Sequence, residues 1–396
     1  MSTPILSDRI NSLSTSQTLA MAAKARELKA QGIDIISLSL GEPDFNTPDF
    51  IKEAAIQAIN DNYSTYTPVD GYLELKEAIC KKFKRDNNLN YTPNQIVVST
   101  GAKQSLYNIA QAMINPGDEV IVPAPFWVSY VEIIKIAGGI PIEVPTTIEN
   151  DFKITPEQLE AAITPNTKMM WFSSPCNPSG SVYSKKEFEG IVAILEKHPN
   201  IYVVADEIYE HINFTDGHCS IGSIGSMADR TITVNGVSKA FAMTGWRIGY
   251  IGAPEEIAKA CTKMQGQVTS GANSIAQRAT ITAVEADPSV LKEMVKAFQN
   301  RRDLVVKLLK EIPGVKINIP EGAFYVFPDI SSFFGKTIQG RTINNADDFS
   351  LLLLEKAHVA TVTGEAFGNP NCIRFSYATS EELLTEALHR IKTILK

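Results

Sequence analysis

A chain of 396 residues is too long for one ordinary domain and predicts two or three, or one large α/β unit with a smaller partner. Hydrophobic residues make up 44% and charged residues 20%, near the average for soluble globular proteins, which argues against a disordered or a membrane class. The formal net charge is −7 and no Lys/Arg cluster stands on an aromatic-rich face, so neither nucleic acid nor an anionic membrane is expected as a partner.

The start, Met1 to Arg9, lacks a charged residue followed by an apolar segment, and no apolar run reaches the length of a membrane span; a cytoplasmic location is expected. From Ser16 to Ala30 apolar and alanine positions recur at helical spacing, and Gln31-Gly32 supplies a stop. Residues 33–40 alternate like a strand and end in Gly41-Glu42-Pro43-Asp44-Phe45, where glycine allows backbone to approach a ligand and proline sets a rigid bend. Thr47-Pro48 opens a helix through about Asn60, with Thr47 as N-cap. The polar loop from Tyr63 to Gly71 carries Tyr66, which reads as an amphipathic surface tyrosine.

A helix over 73–87 is followed by the β-branched strand 95–100, and Gly101-Ala102-Lys103 starts a helix to Ile114. Strand, glycine, helix is an arrangement in which free amides and the positive end of a helix dipole can meet an anion. A second such unit covers 119–123 and 127–137, with Trp127 heading the helix, where a ring face could be offered to a flat group. Strand 168–173 leads into Ser174-Pro175-Cys176-Asn177-Pro178-Ser179-Gly180, a turn that again falls after a strand end. Strand 201–205 terminates in Asp206-Glu207-Ile208-Tyr209-Glu210, and acids after so apolar a run need a partner or a role.

The run 231–235 stops at Gly236 and Lys239 follows, at the strand end where open α/β sheets place ligands. Around Lys239 stand only small or apolar groups (Ala240, Phe241, Ala242, Met243), and Arg247 lies near. Burial and a like charge should both depress its pKa, leaving a nucleophile able to form a Schiff base with a carbonyl. A strand over 247–253, helices over 255–264 and 274–286, and one long helix over 288–311 complete this part. The alternation from Gln95 to Ala253 predicts a mostly parallel sheet with helices on both faces.

After Pro313-Gly314 the pattern becomes mixed (323–327, 346–357, 372–375, 381–395), a smaller α+β domain joined by the segment before Thr47. The expected division is 1–46 as an N-terminal arm and part of the small domain, 47–288 as the large domain and 289–396 as the small one. Arg374 lies in a strand with apolar neighbours, and a buried arginine must be paired. The five cysteines are odd in number and scattered, which reads as reduced thiols. The five histidines show no metal spacing, His211 and His218 having no acidic partner arranged as in zinc motifs, so no metal site is expected.

The stretch Ser238-Lys239-Ala240-Phe241-Ala242-Met243-Thr244-Gly245-Trp246-Arg247-Ile248-Gly249-Tyr250 resembles the pyridoxal-phosphate lysine segment of class I aminotransferases. It closely resembles the bacterial aspartate aminotransferase subgroup, and the resemblance extends from Gly41 to Arg374. It implies a fold type I pyridoxal-phosphate transferase in which Lys239 carries the cofactor and then acts as general base and acid. Asp206 would keep the pyridine nitrogen protonated, Tyr209 and Asn177 would donate to the ring oxygen, and Trp127 would lie against the ring. Ser238, Arg247 and the turn Gly101-Ala102-Lys103 would hold the phosphate, joined by Tyr66 from the partner chain of a homodimer with shared sites.

By the same resemblance Arg374 and Gly41 take the substrate α-carboxylate, and Lys103, helped by Ser16 and Thr18, takes the side-chain carboxylate. Two residues depart from the pattern: Cys176 stands where asparagine is frequent, and Gly236 where distant relatives have a second phosphate-binding serine. The implied reaction passes an amino group from aspartate to 2-oxoglutarate by a ping-pong route, giving oxaloacetate and glutamate. The alternatives are an aminotransferase of aromatic amino acids or prephenate, or a lyase or synthase on the same fold.

Overall fold

The computed structural model describes residues 5–14 and 17–396, the side chains of 17–19 excepted. Its centre is a seven-stranded sheet of β1 (Ile96–Ser99), β2 (Glu119–Ala124), β3 (Ile140–Pro145), β4 (Thr167–Ser173), β5 (Tyr202–Asp206), β6 (Thr231–Gly236) and β7 (Gly249–Gly252), in spatial order β1-β7-β6-β5-β4-β2-β3. The pairs β2/β3, β2/β4, β4/β5 and β5/β6 are parallel. Helices cover both faces of such a sheet, which is why β4 and β5 are continuous apolar runs buried along their length rather than alternating ones.

β7 runs antiparallel to both β1 and β6, and its first residue, Gly249, lies opposite Ser99 and Gly236. Because these are the carboxyl ends of β1 and β6, the reversal brings the chain before β7, with Arg247, to the edge where Lys239 emerges. A parallel β7 would have carried Arg247 to the far side. The strand is also shorter than the expected 247–253, since Arg247 itself is in the left-handed region at φ +58°.

A three-stranded antiparallel sheet has Ile373–Ser376 at its middle, between Val362–Thr363 and Tyr325–Val326. The helices Lys292–Lys310 and Glu381–Ile394 pack together beside it. The expected strand over 33–40 shrinks to Ile36–Ser37, which pairs in parallel with Val359–Ala360. Adjacent Ile35 and Ile36 are both buried, which breaks the alternation a half-buried strand needs.

Three further expectations are corrected. Thr47 does not cap its helix: its hydroxyl donates to the Ala242 carbonyl over 2.8 Å, and Pro48 is the N-cap of Asp49–Asn60. The helix expected over 288–311 is a 3₁₀ turn, Pro288–Leu291, followed by Lys292–Lys310, with Leu291 at φ −92°, ψ −7° marking the change. The helix over 346–357 ends its α-helical part at Leu352 and closes in a π turn, Leu353–Ala357. Among the elements without any expectation are β3 and the helices Pro156–Ala162 and Lys185–Leu195, although Thr155 with Gln158 and Ser184 with Glu187 cap these helices reciprocally. Among the described residues no helix is long and apolar enough to cross a membrane.

Candidate active site

At the carboxyl ends of β4, β5 and β6 lies a cavity of about 340 Å³ that brings together Gly41, Lys103, Trp127, Asn177, Asp206, Tyr209, Lys239 and Arg374. Lys239 sits three residues past the end of β6, in a turn, and its Nζ donates to the Gly41 carbonyl over 2.7 Å. Burial pushes this ammonium down to about 8; Glu42 and Asp206 pull against the shift, while Arg374 and Arg247 add to it.

Asp206 is the last residue of β5 and is 4% exposed. Burial pushes its carboxyl up to about 6, against hydrogen bonds from the Tyr130 hydroxyl to Oδ2 (2.8 Å) and from the Ile208 amide to Oδ1 (3.3 Å). A carboxylate so enclosed, with only neutral hydrogen-bond donors on it, is a site for a cation. Tyr209, one short turn further, exchanges a hydroxyl hydrogen bond with Tyr325 over 2.9 Å, and its ring lies 5.8 Å from Lys239 Nζ.

A second corner of the cavity is built by a buried guanidinium. Arg374 is 2% exposed; Nη1 donates to Asn177 Oδ1 over 3.0 Å and Nη2 to the Ser39 carbonyl over 2.6 Å. It is sandwiched between the rings of Tyr325 and Phe367, 4.6 and 4.9 Å from their centroids, and its Nε has no hydrogen-bond partner. Its hydrogen-bond partners among the described residues are neutral, so the guanidinium is able to receive a carboxylate. The Gly41 backbone contributes here, although its carbonyl is engaged by Lys239; a Cβ on Gly41 would come within 2.6 Å of the Tyr325 hydroxyl.

The anion corner is a close packing of β1, β7 and a helix start. The helix Ala102–Met113 begins at Gly101, φ +83°, whose missing side chain leaves room for Arg247: a Cβ there would stand 2.2 Å from Nη2. Arg247 is braced by Nη1 donating to the Thr244 carbonyl over 2.9 Å. Ser238 is buried in the turn beside Lys239. Amides at a helix N-terminus facing a guanidinium form an anion site. Lys103 opens to both the cavity and solvent, with Nζ 4.9 Å over the Trp127 ring.

Tyr66 is not brought to this cavity; it is 97% exposed, on a separate surface cleft with Gly271–Ser274. Ser16 and the Thr18 side chain lie outside the described residues. Sequence reasoning passed over Tyr130, Tyr325 and Glu42, which also line the cavity. Glu42 was visible beside Gly41, while the tyrosines sat in apolar runs where an aromatic reads as core. The histidines, by contrast with expectation, do meet acids: His211 Nε2 lies 3.3 Å from Glu210 and His218 Nε2 3.0 Å from Glu207.

The donor set fits pyridoxal phosphate: an amine to hold it, a buried carboxylate lacking a cation, hydroxyl and amide donors between them, and, where β6 and β7 meet, the Gly101–Arg247 corner with donors for an anion. The sequence profile of the family described as "Aminotransferase class I and II" matches residues 33–391. An "Aspartate/prephenate aminotransferase" of Cereibacter sphaeroides is 50% identical over 390 residues, covering 98% of each chain. The solved structure of the aspartate aminotransferase from Rhizobium meliloti superposes with a TM-score of 0.96 at 44% identity, over 98% of each chain. That of the Thermus thermophilus aspartate aminotransferase with maleate gives 0.93 at 42%, over 99% of this chain and 100% of the other.

Proposed function

The chain belongs to the class I and II aminotransferases, enzymes dependent on pyridoxal phosphate, and from that premise we propose that it passes the amino group of aspartate to 2-oxoglutarate. The observation that carries the proposal is the single cavity holding the Lys239 amine, the Asp206 carboxylate and the unneutralised Arg374 guanidinium, with Lys103 on its open side. When bound, the cofactor supplies an exchangeable carbonyl and a ring that accepts electrons from the substrate. Lys239 would take the proton from the substrate Cα and deliver it to C4′ of the cofactor, the carbon of its carbonyl, a role suited to an amine held near 8. Asp206 holds a proton on the ring nitrogen, Tyr209 and Asn177 donate to the ring oxygen, and Trp127 covers the ring face. Ser238, Arg247 and the amides of the turn from Gly101 bind the phosphate.

Arg374 orients the α-carboxylate through Nε and its neighbouring amino groups, beside Gly41. Lys103 meets the side-chain carboxylate, which selects dicarboxylic donors; the Thermus thermophilus relative was solved with maleate, itself a dicarboxylate. An ammonium makes a point contact rather than a fork, so the pocket tolerates other side chains, and the name of the Cereibacter sphaeroides relative supports prephenate as a second oxo acid. We further propose a homodimer in which the exposed Tyr66 reaches the partner's phosphate corner, a division into a large domain over 47–288 and a small one over 289–396 joined by 1–46, and action in the cytoplasm, where five free thiols remain reduced.

The test is a series of half-reactions, mixing holoenzyme with single amino acids and following the cofactor's absorbance. Aspartate and glutamate should convert it fastest; equal or faster conversion by alanine or phenylalanine would remove the dicarboxylate assignment.

A further inference from the structure

The turn that carries Asp206 and Tyr209 into the cavity has a second face. Glu207 and Glu210, 2% and 5% exposed, point away from the cavity into a buried polar cluster. There Asn87, the last residue of the helix Leu73–Asn87, donates from Nδ2 to Glu207 Oε2 over 2.8 Å and to Glu210 Oε2 over 2.5 Å, so one amide staples both carboxylates. Ser220 Oγ donates to Glu207 Oε2 over 2.7 Å, and His218 Nε2 lies 3.0 Å from the same oxygen. On the other side Lys82 pairs with Glu210 and donates to Asn87 Oδ1 over 2.6 Å. Burial works against an ionised Glu210, yet Lys82, His211 and His218 hold it down to about 2. The Lys82 ammonium thus stands between Asp86 and Glu210, where an ion held by Asp86, Glu210 and His211 would sit, and it ties the cluster into one network.

The backbone transmits this grip. The Glu207 amide donates to the Val234 carbonyl of β6 over 2.9 Å, the Glu210 amide donates to the Glu207 carbonyl over 2.9 Å, and the Ile208 amide donates to Asp206 itself. Any displacement of Glu207 therefore moves its chain neighbour Asp206 and tilts Tyr209.

We propose that Glu207 is a positioning residue for amino transfer: held from behind by Asn87, Ser220 and His218, it sets the angle at which Asp206 and Tyr209 meet the cofactor ring. The inference rests on the family's cofactor chemistry in this cavity and not on the choice of aspartate. Misplacing reacting groups by a fraction of an ångström costs rate while leaving binding contacts intact.

The test compares holoenzymes of wild type, Glu207→Gln and Ser220→Ala, using whichever donor wild type prefers, so that an error in the substrate assignment does not enter. Glu207→Gln keeps the shape and loses the charge; Ser220→Ala removes the hydrogen bond donated to Glu207 and the one accepted from Asn87 Nδ2 (3.1 Å), with little threat to folding. Both should bind cofactor in full. For Glu207→Gln kcat should fall about tenfold with KM within about twofold of wild type. The pH midpoint of the bound cofactor's absorbance should move by about half a unit, because Asp206 governs the ring nitrogen. Ser220→Ala should shift kcat and the midpoint the same way by less. A lowered Tm with wild-type kcat and midpoint would show that Glu207 only supports the fold. Should Glu207→Gln fail to fold, Ser220→Ala decides alone, and wild-type values for its kcat and midpoint overturn the proposal.

Discussion

The Tyr130 hydroxyl donates to Asp206 Oδ2 over 2.8 Å, and that neutral donor together with the Ile208 amide is all the hydrogen bonding the buried carboxylate receives from the described residues. An acid with so little compensation is pushed up to about 6 from its ordinary 3.8. The folded protein without cofactor therefore binds a proton that the unfolded chain gives up more readily. Its contribution to stability is present below about pH 4 and is lost as pH rises through about 6.

Asp206→Asn should relieve that cost. In the cofactor-free protein at about pH 8 the variant should be more stable by about 1–2 kcal/mol, since asparagine keeps only one of the two acceptors, and the gain should vanish below about pH 4. Thermal melts across this range check it. The same variant should lose most of its amino-transfer rate, so site and stability oppose each other at this position. A variant no more stable than wild type at alkaline pH would mean that Tyr130 and Ile208 fully satisfy the carboxylate.

Arg374→Lys removes the fork and the unpartnered Nε while keeping the charge. Every amino acid carries the α-carboxylate, so kcat/KM should fall for all donors alike by about 1.5–3 kcal/mol, about ten- to a hundredfold. Steady-state kinetics with aspartate, glutamate and phenylalanine provide the comparison, and cofactor affinity should stay unchanged.

Lys103→Ala should behave differently. With Nζ over Trp127 at the open side of the cavity, Lys103 is placed to meet the end of a long donor rather than its common head. Aspartate and glutamate should lose about ten- to a hundredfold in kcat/KM while alanine and phenylalanine are largely spared. An equal loss for every donor would assign Lys103 to the phosphate instead.

Tyr66 is far too exposed to act within its own chain's cavity. Hybrid dimers of Lys239→Ala and Tyr66→Phe chains should contain one site with both residues intact, and that site should bind cofactor with wild-type affinity, while Tyr66→Phe homodimers bind about tenfold more weakly. Titration of purified hybrids separates the cases: weakened binding at every intact lysine would place Tyr66 in the service of its own chain.

The strand ends bearing Lys239, Asp206 and Asn177 were legible in the sequence because β-branched and apolar runs stop abruptly at polar residues there, and a buried parallel sheet leaves no other place for function. Arg374 was legible for another reason: an arginine between apolar strand residues is buried and must be paired. The direction of β7 was not: Gly249-Tyr250-Ile251-Gly252 is buried throughout and has no period, so nothing local says which way it pairs. The hydroxyl partners Tyr130 and Tyr325 were hidden because a tyrosine in an apolar run packs its ring like any core aromatic, and only tertiary structure shows where the oxygen points. Thr47 looked like a cap since it precedes Pro48, yet the helix starts one residue later with Pro48 as its N-cap, and the Thr47 hydroxyl donates to the distant Ala242 carbonyl.

The short pairing of Ile36–Ser37 with Val359–Ala360 joins segments more than 300 residues apart, and the chain around it continues the junction: the Ser376 amide donates to the Leu38 carbonyl over 2.8 Å and Arg374 to that of Ser39. During synthesis the first of these segments leaves the ribosome long before the second exists. The large parallel sheet can assemble while the chain is still growing, but the carboxylate corner cannot, because one wall is made first and the other nearly last. A nascent chain halted short of Arg374 would hold its lysine and its acid and still have no means of gripping an amino acid, so competence to select substrate arrives as one of the final events of biogenesis.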